Sequence, residues 1–344
     1  MQPLAAQLKQ AFEKHEFPHI IGQEQIKLQL KSALIAGHHV ILVGPPGVGK
    51  TTLAKSVAHI LPSVEVNDCP WHCDPDVPQC PFCLGAKGKI KKRKISGEER
   101  FIRVQGSPDL TAEDLLGDID PIKALQFGPL STEAFTPGKI FRANNGVLFF
   151  DELNRAPEKL QNALLQVLEE GKATIGSYAV DFHANFIFIG TLNPKDSSTE
   201  KLSDVLLDRF DVIYVGYPES DELEQEIVLV KGEKLCLFPQ KLFDFIVRFV
   251  RSLREDKDLE KVPSVRATLA LYERSQSIAL LRGRKEVVFS DIRDVLVSVL
   301  AHRVELKPSI RYMRSQEEFI SAKFTEFMEE HKKDITPDDG GEGL

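Results

Sequence analysis

The chain of 344 residues lacks any apolar run that approaches the roughly 20 residues needed to span a bilayer. Residues 1–17 have an amphipathic helical rhythm without the apolar core of a signal peptide, so we expect a cytoplasmic protein. The chain also lacks an excess of positive charge, since its formal net charge is −7. This acidity argues against a general nucleic-acid-binding protein.

Cysteine is scarce, with 5 in the chain, yet four of them fall within one short segment: Cys69, Cys73, Cys80 and Cys83. Two close pairs separated by a short loop suit a tetrahedral thiolate site and predict a structural zinc ion. Three other interpretations stay open at this point. His72 could replace Cys69 or Cys73 as a ligand, an iron–sulfur cluster could use the same four thiolates, or the thiols could be free and redox-active.

A strongly basic run, Lys87–Lys94 (KGKIKKRK), follows the cysteine segment. We expect a solvated loop, because charge runs are most often solvated surface. The alternative is an electrostatic contact with an acidic partner or with nucleic acid. The acidic net charge and the lack of aromatic residues within the run argue against nucleic acid.

A glycine-rich segment, GPPGVGKT, follows the apolar run His39–Val43 and precedes a helical pattern. Its glycines let the backbone approach a polyphosphate, and the helix N-terminus favours the anion. Lys50 is placed to reach the β- and γ-phosphates, and the Thr51 hydroxyl to bind Mg²⁺. The segment therefore predicts ATP binding through Gly44, Pro45, Pro46, Gly47, Val48, Gly49, Lys50, Thr51 and Thr52.

An acidic pair, Asp151 and Glu152, follows the apolar run Val147–Phe150. Alone, such a pair most often caps the transition from a strand to a helix. Downstream of a phosphate-binding loop, it predicts an ATPase in which Asp151 orients Mg²⁺ or its water and Glu152 polarises the attacking water.

The order of apolar runs predicts two domains. Strand-like runs alternate with helical patterns up to about residue 216, which predicts a parallel sheet covered by helices on both faces. After Pro218 the pattern is wholly helical. The predicted strands are 40–43, 100–104, 147–150, 185–190 and 212–215; the predicted later helices are 221–234, 240–255, 264–282, 290–303 and 315–331.

The chain from about Ile21 to Arg303 resembles the AAA+ ATPases, and among them the MoxR and magnesium-chelatase I-subunit group. The order of five motifs carries the resemblance. They are Ile21–Glu24 near the adenine, Asp151–Gly171 as Walker B, Gly190–Pro194 as sensor 1, Leu206–Phe210 as the arginine-finger box and Pro263–Ala267 as sensor 2.

The resemblance implies further site residues and a shared active site. Ile21 and Gly22 would lie near the adenine, and Asn193 would help to orient the lytic water. Arg209 would reach the γ-phosphate of a neighbouring subunit, and Arg266 would open a lid helix. An active site completed in this way implies a ring, expected to be a hexamer.

The resemblance also implies a domain plan: an AAA+ α/β core at 1–217 and a helical lid at 218–305. Within the core, the resemblance implies a helix-2 insert at about 118–137, whereas the four-cysteine segment is an insert at about 66–95 that the family pattern does not require. Alternation about a Gly-Ser turn predicts a hairpin at 171–183. Beyond the resemblance, an amphipathic pattern and an acidic, glycine-rich end predict a C-terminal helix and a disordered tail in residues 306–344.

Three functions compete at this stage. The leading hypothesis is a ring ATPase that remodels or metal-loads a partner protein, which by resemblance often contains a von Willebrand A domain. The second is a nucleic-acid-dependent motor that uses the zinc insert and the basic run. The third is a scaffold that binds ATP without hydrolysing it.

Overall fold

Residues 2–128, 131–174, 181–194 and 202–332 are described by a computed structural model of the chain. The chain divides into two units, Met1–Pro45 with Gly49–Val215, and Pro46–Val48 with Gly216–Leu344. None of the helices in the described ranges has the length and apolarity that crossing a membrane requires.

The strands, in chain order, are β1 (His39–Val43), β2 (Val64–Asn67), β3 (Lys92–Ile95), β4 (Phe101–Gln105), β5 (Gly117–Ile119), β6 (Phe135–Pro137), β7 (Gly146–Asp151), β8 (Lys172–Thr174), β9 (Asp181–His183), β10 (Phe186–Leu192), β11 (Phe210–Tyr214), β12 (Leu259–Lys261) and β13 (Glu305–Leu306).

The helices are α1 (Leu4–Lys14), α2 (Glu24–Ile35), α3 (Lys50–Ile60), α4 (Pro81–Leu84), α5 (Ala112–Leu116), α6 (Pro121–Phe127), α7 (Lys139–Arg142), α8 (Glu158–Glu170), α9 (Asp204–Leu207), α10 (Asp221–Lys231), α11 (Gln240–Glu255), α12 (Val265–Leu281), α13 (Phe289–Leu300), α14 (Pro308–Arg311) and α15 (Gln316–Glu330).

The first unit contains a five-stranded parallel sheet in the order β11-β1-β10-β7-β4. Its central strands are almost entirely apolar and buried, as expected for a sheet covered on both faces. The five predicted strands are these five, with boundaries shifted by one to two residues. The predicted parallel α/β fold is therefore confirmed.

The sheet order decides which loops meet. Val43 at the end of β1 lies beside Leu192 of β10, and Gly190 of β10 lies beside Phe150 of β7. Because all strands run in one direction, the segments that follow β1, β10 and β7 leave the same edge of the sheet.

A loop was predicted for the whole basic run, but the end of the run is a strand, because Lys92–Ile95 forms β3. This strand pairs antiparallel with β2, so that Lys94 lies opposite Glu65 and Arg93 opposite Val66. The two strands enclose the cysteine segment and hold its two ends together. The predicted loop is correct only for the part of the run before Lys92.

Two smaller strand pairs lie near the predicted helix-2 insert and in the predicted hairpin. Near the predicted helix-2 insert, β5 and β6 pair antiparallel, with α6 between them along the chain. The predicted hairpin at 171–183 contains the antiparallel pair β8 and β9, and residues 175–180 of its turn lie outside the described residues.

The second unit is mainly helical, and its core is formed by the apolar faces of α11, α12, α13 and α15. At the centre, the buried Glu224 carboxylate accepts hydrogen bonds from Arg254 at 2.6 and 2.7 Å. Two paired hydrogen bonds offset the cost of burying the charge. The all-helical character predicted after Pro218 is confirmed, apart from the short strand pair of β12 and β13.

Candidate functional site

The predicted phosphate-binding loop connects the end of β1 to Lys50, the first residue of α3. Gly47 and Gly49 have φ angles of +80° and +96°, a region that glycine adopts without strain. The Lys50 ammonium donates hydrogen bonds to the carbonyl oxygens of Gly44 (2.6 Å) and Pro45 (2.8 Å). The lysine thus lies across the loop at a helix N-terminus, where N–H groups without helical partners favour an anion.

Asp151, the last residue of β7, is held on both carboxylate oxygens. Its Oδ1 accepts a hydrogen bond from the Thr191 hydroxyl at 2.7 Å, and its Oδ2 accepts one from Arg103 Nη2 at 2.7 Å. Thr191 lies on β10 and Arg103 on β4, the two strands that flank β7. The sheet therefore fixes the carboxylate from both sides.

Glu152 follows with a φ of 54°, which turns the chain sharply after the strand. Its carboxylate accepts a hydrogen bond from Gln105 Nε2 at 3.0 Å and forms an ion pair with Arg155 at 3.1 Å. Its backbone N–H donates to the Thr191 hydroxyl at 2.9 Å. Thr191 therefore contacts both members of the acidic pair.

Asn193 comes one residue after β10, and its backbone carbonyl accepts a hydrogen bond from Asn154 Nδ2 at 3.4 Å. Since β10 lies between β1 and β7, Asn193 leaves the sheet at the edge that also carries Lys50 and Asp151. The structure thus brings the predicted loop, acidic pair and Asn193 to one edge.

Sequence reasoning missed three polar residues of this site: Arg103, Gln105 and Thr191. Their signal is weak but present. Arg103 and Gln105 alternate along β4, which places both on one face of the strand, and Thr191 is a polar residue within a buried apolar strand. Only the sheet order shows that they surround Asp151 and Glu152.

The predicted arginine finger, Arg209, lies between α9 and β11 and is bound within its own chain. It pairs with Glu169 of α8, and its Nη1 donates to the carbonyl of Val205 at 2.6 Å. Its action on a neighbouring subunit stays a prediction.

The remaining predicted contacts with the nucleotide also stay predictions. Ile21 and Gly22 precede α2, and Gly22 has a φ of 62°. Arg266 is exposed in the first turn of α12, within the second unit.

The four predicted thiol ligands come together in the segment between β2 and β3. The sulfur atoms of Cys69, Cys73, Cys80 and Cys83 all lie within 4.8 Å of one another, and all four residues are buried. The second cysteine of each pair donates its backbone N–H to the sulfur of the first, from Cys73 to Cys69 at 3.4 Å and from Cys83 to Cys80 at 3.3 Å.

The chemistry of the four sulfurs fits a bound cation. Hydrogen bonds from Cys73 and Cys80 lower the pKa of Cys69, whereas burial raises the pKa of Cys83 to about 12. One thiolate is therefore favoured, but four adjacent thiolates need a positive charge among them. The Nε2 of His72 accepts a hydrogen bond from Arg93 at 2.8 Å, so that ring nitrogen is already engaged.

The spacing of the sulfurs fits one tetrahedral ion. Zinc–sulfur bonds of about 2.3 Å would place tetrahedral thiolates about 3.8 Å apart. The observed upper limit of 4.8 Å requires only a small contraction. An iron–sulfur cluster distributes its four thiolates over two or four iron atoms, and thiolates on different irons would lie farther apart.

Three family models match different parts of the chain. "Magnesium chelatase, subunit ChlI" matches residues 16–70, "ATPase family associated with various cellular activities (AAA)" matches 86–212, and "AAA lid domain" matches 260–321. Their order along the chain is the order of the motifs described above.

Relatives match over most of their length. A magnesium-chelatase subunit ChlI homologue from Methanocaldococcus jannaschii is 26% identical, with 93% of each chain covered. The chloroplastic magnesium-chelatase subunit ChlI of Glycine max is 29% identical over 86% of this chain and 76% of its own. The uncharacterized protein YeaC of Bacillus subtilis is 27% identical over 88% of both chains.

Among solved structures, the complex between subunits BchI and BchD of magnesium chelatase includes a chain with a TM-score of 0.50 and 22% identity. The match covers 86% of this chain and 98% of that one, and it supports the fold alone. The family models and the relatives support an assignment of the chain to the AAA+ ATPases, in the group of MoxR proteins and magnesium-chelatase I subunits.

Proposed function

We propose that this chain is a subunit of a ring that couples the hydrolysis of Mg-ATP to the remodelling, or metal loading, of a partner protein. One observation carries the proposal. The same edge of one parallel sheet carries Lys50, the acidic pair Asp151–Glu152 and Asn193, and hydrogen bonds hold the acidic pair in place. In α/β sheets this edge is where ligands bind.

Each residue at this edge has a distinct role in the proposed reaction. The N–H groups of residues 44–52 bind the phosphates, and Lys50 and Arg209 stabilise the charge that develops on them. Glu152 accepts the proton of the attacking water, which Asn193 helps to orient. Bound at Thr51 and Asp151, Mg²⁺ would neutralise phosphate charge. Arg266 would couple the nucleotide to the lid.

A single substitution tests the hydrolytic role of Glu152. Glu152→Gln keeps the size of the side chain but cannot accept the proton, so it should bind ATP and lower kcat by about 100-fold or more. Glu158→Gln is the matched control, because Glu158 is exposed in the first turn of α8. Phosphate release is the measurement, and wild-type turnover in Glu152→Gln would reject the role.

The ring is proposed to be a hexamer that binds a second protein, by family resemblance one with a von Willebrand A domain. The names of this chain's relatives, which are subunits of magnesium chelatase or homologues of one, support assembly with a second protein. Light scattering of the purified chain with and without ATP measures the ring. Co-purification from the native host identifies the partner, and a chain that stays monomeric with ATP would contradict the proposal.

The four-cysteine site is proposed to hold structural zinc, through Cys69, Cys73, Cys80 and Cys83. Structural zinc contributes on the order of 10 kcal/mol to the folding of small domains. Elemental analysis of the purified protein should find one zinc ion per chain, and Cys80→Ser should lower this number. Cys236→Ser is the matched control, since Cys236 lies in the second unit. Iron in place of zinc would overturn the assignment.

A nucleic-acid-dependent motor is the second candidate, favoured by one surface observation. Lysines 87, 89, 91 and 94 are exposed, and Phe82, five residues before Lys87 in the chain, is 58% exposed. Stacking and phosphate contacts together would bind a single strand. Stimulation of ATPase activity by single-stranded DNA, lost when these four lysines are changed to Gln, would support it. Arg93 is left unchanged because it contacts His72.

A further inference from the structure

Arg103 places a fixed positive charge against the carboxylate that is proposed to serve the magnesium ion. The distance from Arg103 Nη2 to Asp151 Oδ2 is 2.7 Å, the length of a charge-assisted hydrogen bond. Arg103 and Asp151 lie on neighbouring strands, β4 and β7, where Gln105 is the direct partner of Asp151. The pairing of the strands therefore brings the two charged groups together.

Because of the other contacts of Asp151, its pair with Arg103 affects how well Asp151 can bind a metal ion. Oδ1 is already bonded to the Thr191 hydroxyl, so Arg103 engages the second oxygen. A carboxylate that is bonded on both oxygens is a weaker partner for a divalent cation or its water. In addition, the guanidinium charge repels a dication at short range.

Arg103 is able to leave the carboxylate. Its side chain is 50% exposed, whereas that of Asp151 is 15% exposed. A partly exposed guanidinium gains water when its pair breaks, so such an ion pair changes an equilibrium by about fivefold at most. The Arg103–Asp151 pair is thus strong enough to change the metal affinity severalfold and weak enough to break when the metal binds.

We propose that Arg103 is a positioning residue that competes with the metal for Asp151 and so sets the magnesium concentration at which the ATPase operates. Coupling of two binding events is reciprocal. If the bound metal weakens the Arg103–Asp151 pair, then that pair weakens metal binding by the same factor. The inference rests on the proposed ATPase function and concerns the same site.

A second route from Arg103 to the site has to be separated from the first. Arg103 Nη2 also donates to Gln105 Oε1 at 3.0 Å, and Gln105 in turn bonds Glu152. Loss of Arg103 could therefore disturb Glu152 through Gln105. That effect would appear in kcat, whereas competition for Asp151 appears in the affinity for the metal.

The test measures metal binding directly. Mn²⁺ is added to the protein with a non-hydrolysable ATP analogue, and electron paramagnetic resonance measures the concentration of free Mn²⁺. Arg103→Met removes the charge and keeps the length of the side chain, and the Mn²⁺ dissociation constant should fall about fivefold. In the ATPase assay, the half-saturating Mg²⁺ concentration should fall by the same factor.

Three further variants decide the interpretation. Arg103→Lys keeps the charge and should stay closer to wild type than Arg103→Met. Arg142→Met, at an exposed arginine of α7, should leave the Mn²⁺ affinity unchanged. Gln105→Met keeps both groups of the Arg103–Asp151 pair and should shift the Mn²⁺ affinity less than Arg103→Met does; an equal shift there would overturn action through Asp151. A thermal melt of each variant confirms that it is folded.

The outcomes separate this inference from the proposed function. An unchanged or raised dissociation constant in Arg103→Met, with normal metal–nucleotide binding by the wild type, would overturn the role of Arg103 alone. A wild-type protein that binds no metal–nucleotide complex would overturn both.

Discussion

Thr191 joins the two acidic residues of the site through one hydroxyl group. It donates to Asp151 and accepts from the backbone N–H of Glu152, and its side chain is almost fully buried. Thr191→Val keeps the shape and removes both hydrogen bonds. We expect kcat to fall about 10- to 100-fold because the acidic pair loses its fixed geometry.

Stability should fall as well in Thr191→Val, by about 1–3 kcal/mol, since a buried N–H group loses its partner. Steady-state ATPase rates and denaturant unfolding measure the two effects. Thr191→Ser retains the hydroxyl and is the matched control. A Thr191→Val enzyme with unaltered kcat would show that the hydroxyl does not position the acidic pair.

His39 makes the stability of the sheet depend on pH. Burial lowers the pKa of His39 to about 4, with a further contribution from His38, and its Nδ1 accepts the N–H of Phe188 at 3.1 Å. The unfolded chain takes up this proton near pH 6.5. The full stability is therefore present above about pH 6.5 and is lost as the pH falls toward 4.

Between pH 7 and pH 5 this histidine should cost about 2 kcal/mol of unfolding free energy. His39→Asn retains an acceptor but does not titrate, so denaturant unfolding at the two pH values should show a smaller loss than in the wild type. His15→Asn, at an exposed histidine, should behave as wild type. Equal losses in His39→Asn and wild type would contradict this assignment.

Some residues of the candidate site can be predicted from the sequence alone, whereas others can be identified only once the order of the strands is known. Lys50, Asp151 and Glu152 stand in short contiguous patterns with their own strand and helix, so the sequence alone predicts them. Arg103 and Thr191 become site residues only because β4 and β10 both flank β7. No local pattern encodes that order of strands.

At the scale of elements, the four-cysteine segment is joined to the strand that carries the acidic pair. The ring of Trp71 stacks on Phe141 of α7 with 4.2 Å between centroids, and the Trp71 carbonyl accepts a hydrogen bond from Asn144 Nδ2 at 3.0 Å. Asn144 lies two residues before β7. The cysteines and Phe150 of β7 therefore belong to one apolar core.

Trp71→Ala should destabilise the first unit by about 3–5 kcal/mol, because it empties a buried aromatic site. Trp71→Phe keeps the stacked ring and should cost less than about 1.5 kcal/mol. Thermal unfolding with and without a zinc chelator measures both. Since core and thiolates are contiguous, chelation should lower the melting temperature of wild type too; an unchanged melting temperature would show that no metal supports this core.

The sequence predicts strands and helices well where apolar runs define them, and poorly where most residues of the element are charged. The run Lys92–Ile95 contains three basic residues, yet it forms β3 because β2 supplies a partner strand and Glu65 pairs with Lys92. Its propensity as an isolated segment favours a solvated loop. Tertiary pairing overrides that preference.

At the scale of the whole molecule, one chain brings together most of the proposed ATPase site but keeps Arg209 bound to its own Glu169. The proposed ring makes a clear prediction, because in a heterologous ring each site takes its finger from one neighbour. A subunit with Arg209→Ala keeps an intact Glu152 but supplies no arginine to its neighbour. A subunit with Glu152→Gln supplies an intact Arg209 to its neighbour but cannot hydrolyse ATP at its own site.

Each of these two variants alone should be nearly inactive. Mixed in equal amounts and allowed to exchange subunits, they should regain activity, since about a quarter of sites would combine an intact Glu152 with an intact Arg209 from the neighbour. Phosphate release after mixing is the measurement. A mixture of Glu152→Gln with Lys50→Ala is the control and should stay inactive, because both changes damage the site of their own subunit. If Arg209 acts only within its own chain, neither mixture will recover, and the proposal that neighbouring subunits complete the site is rejected.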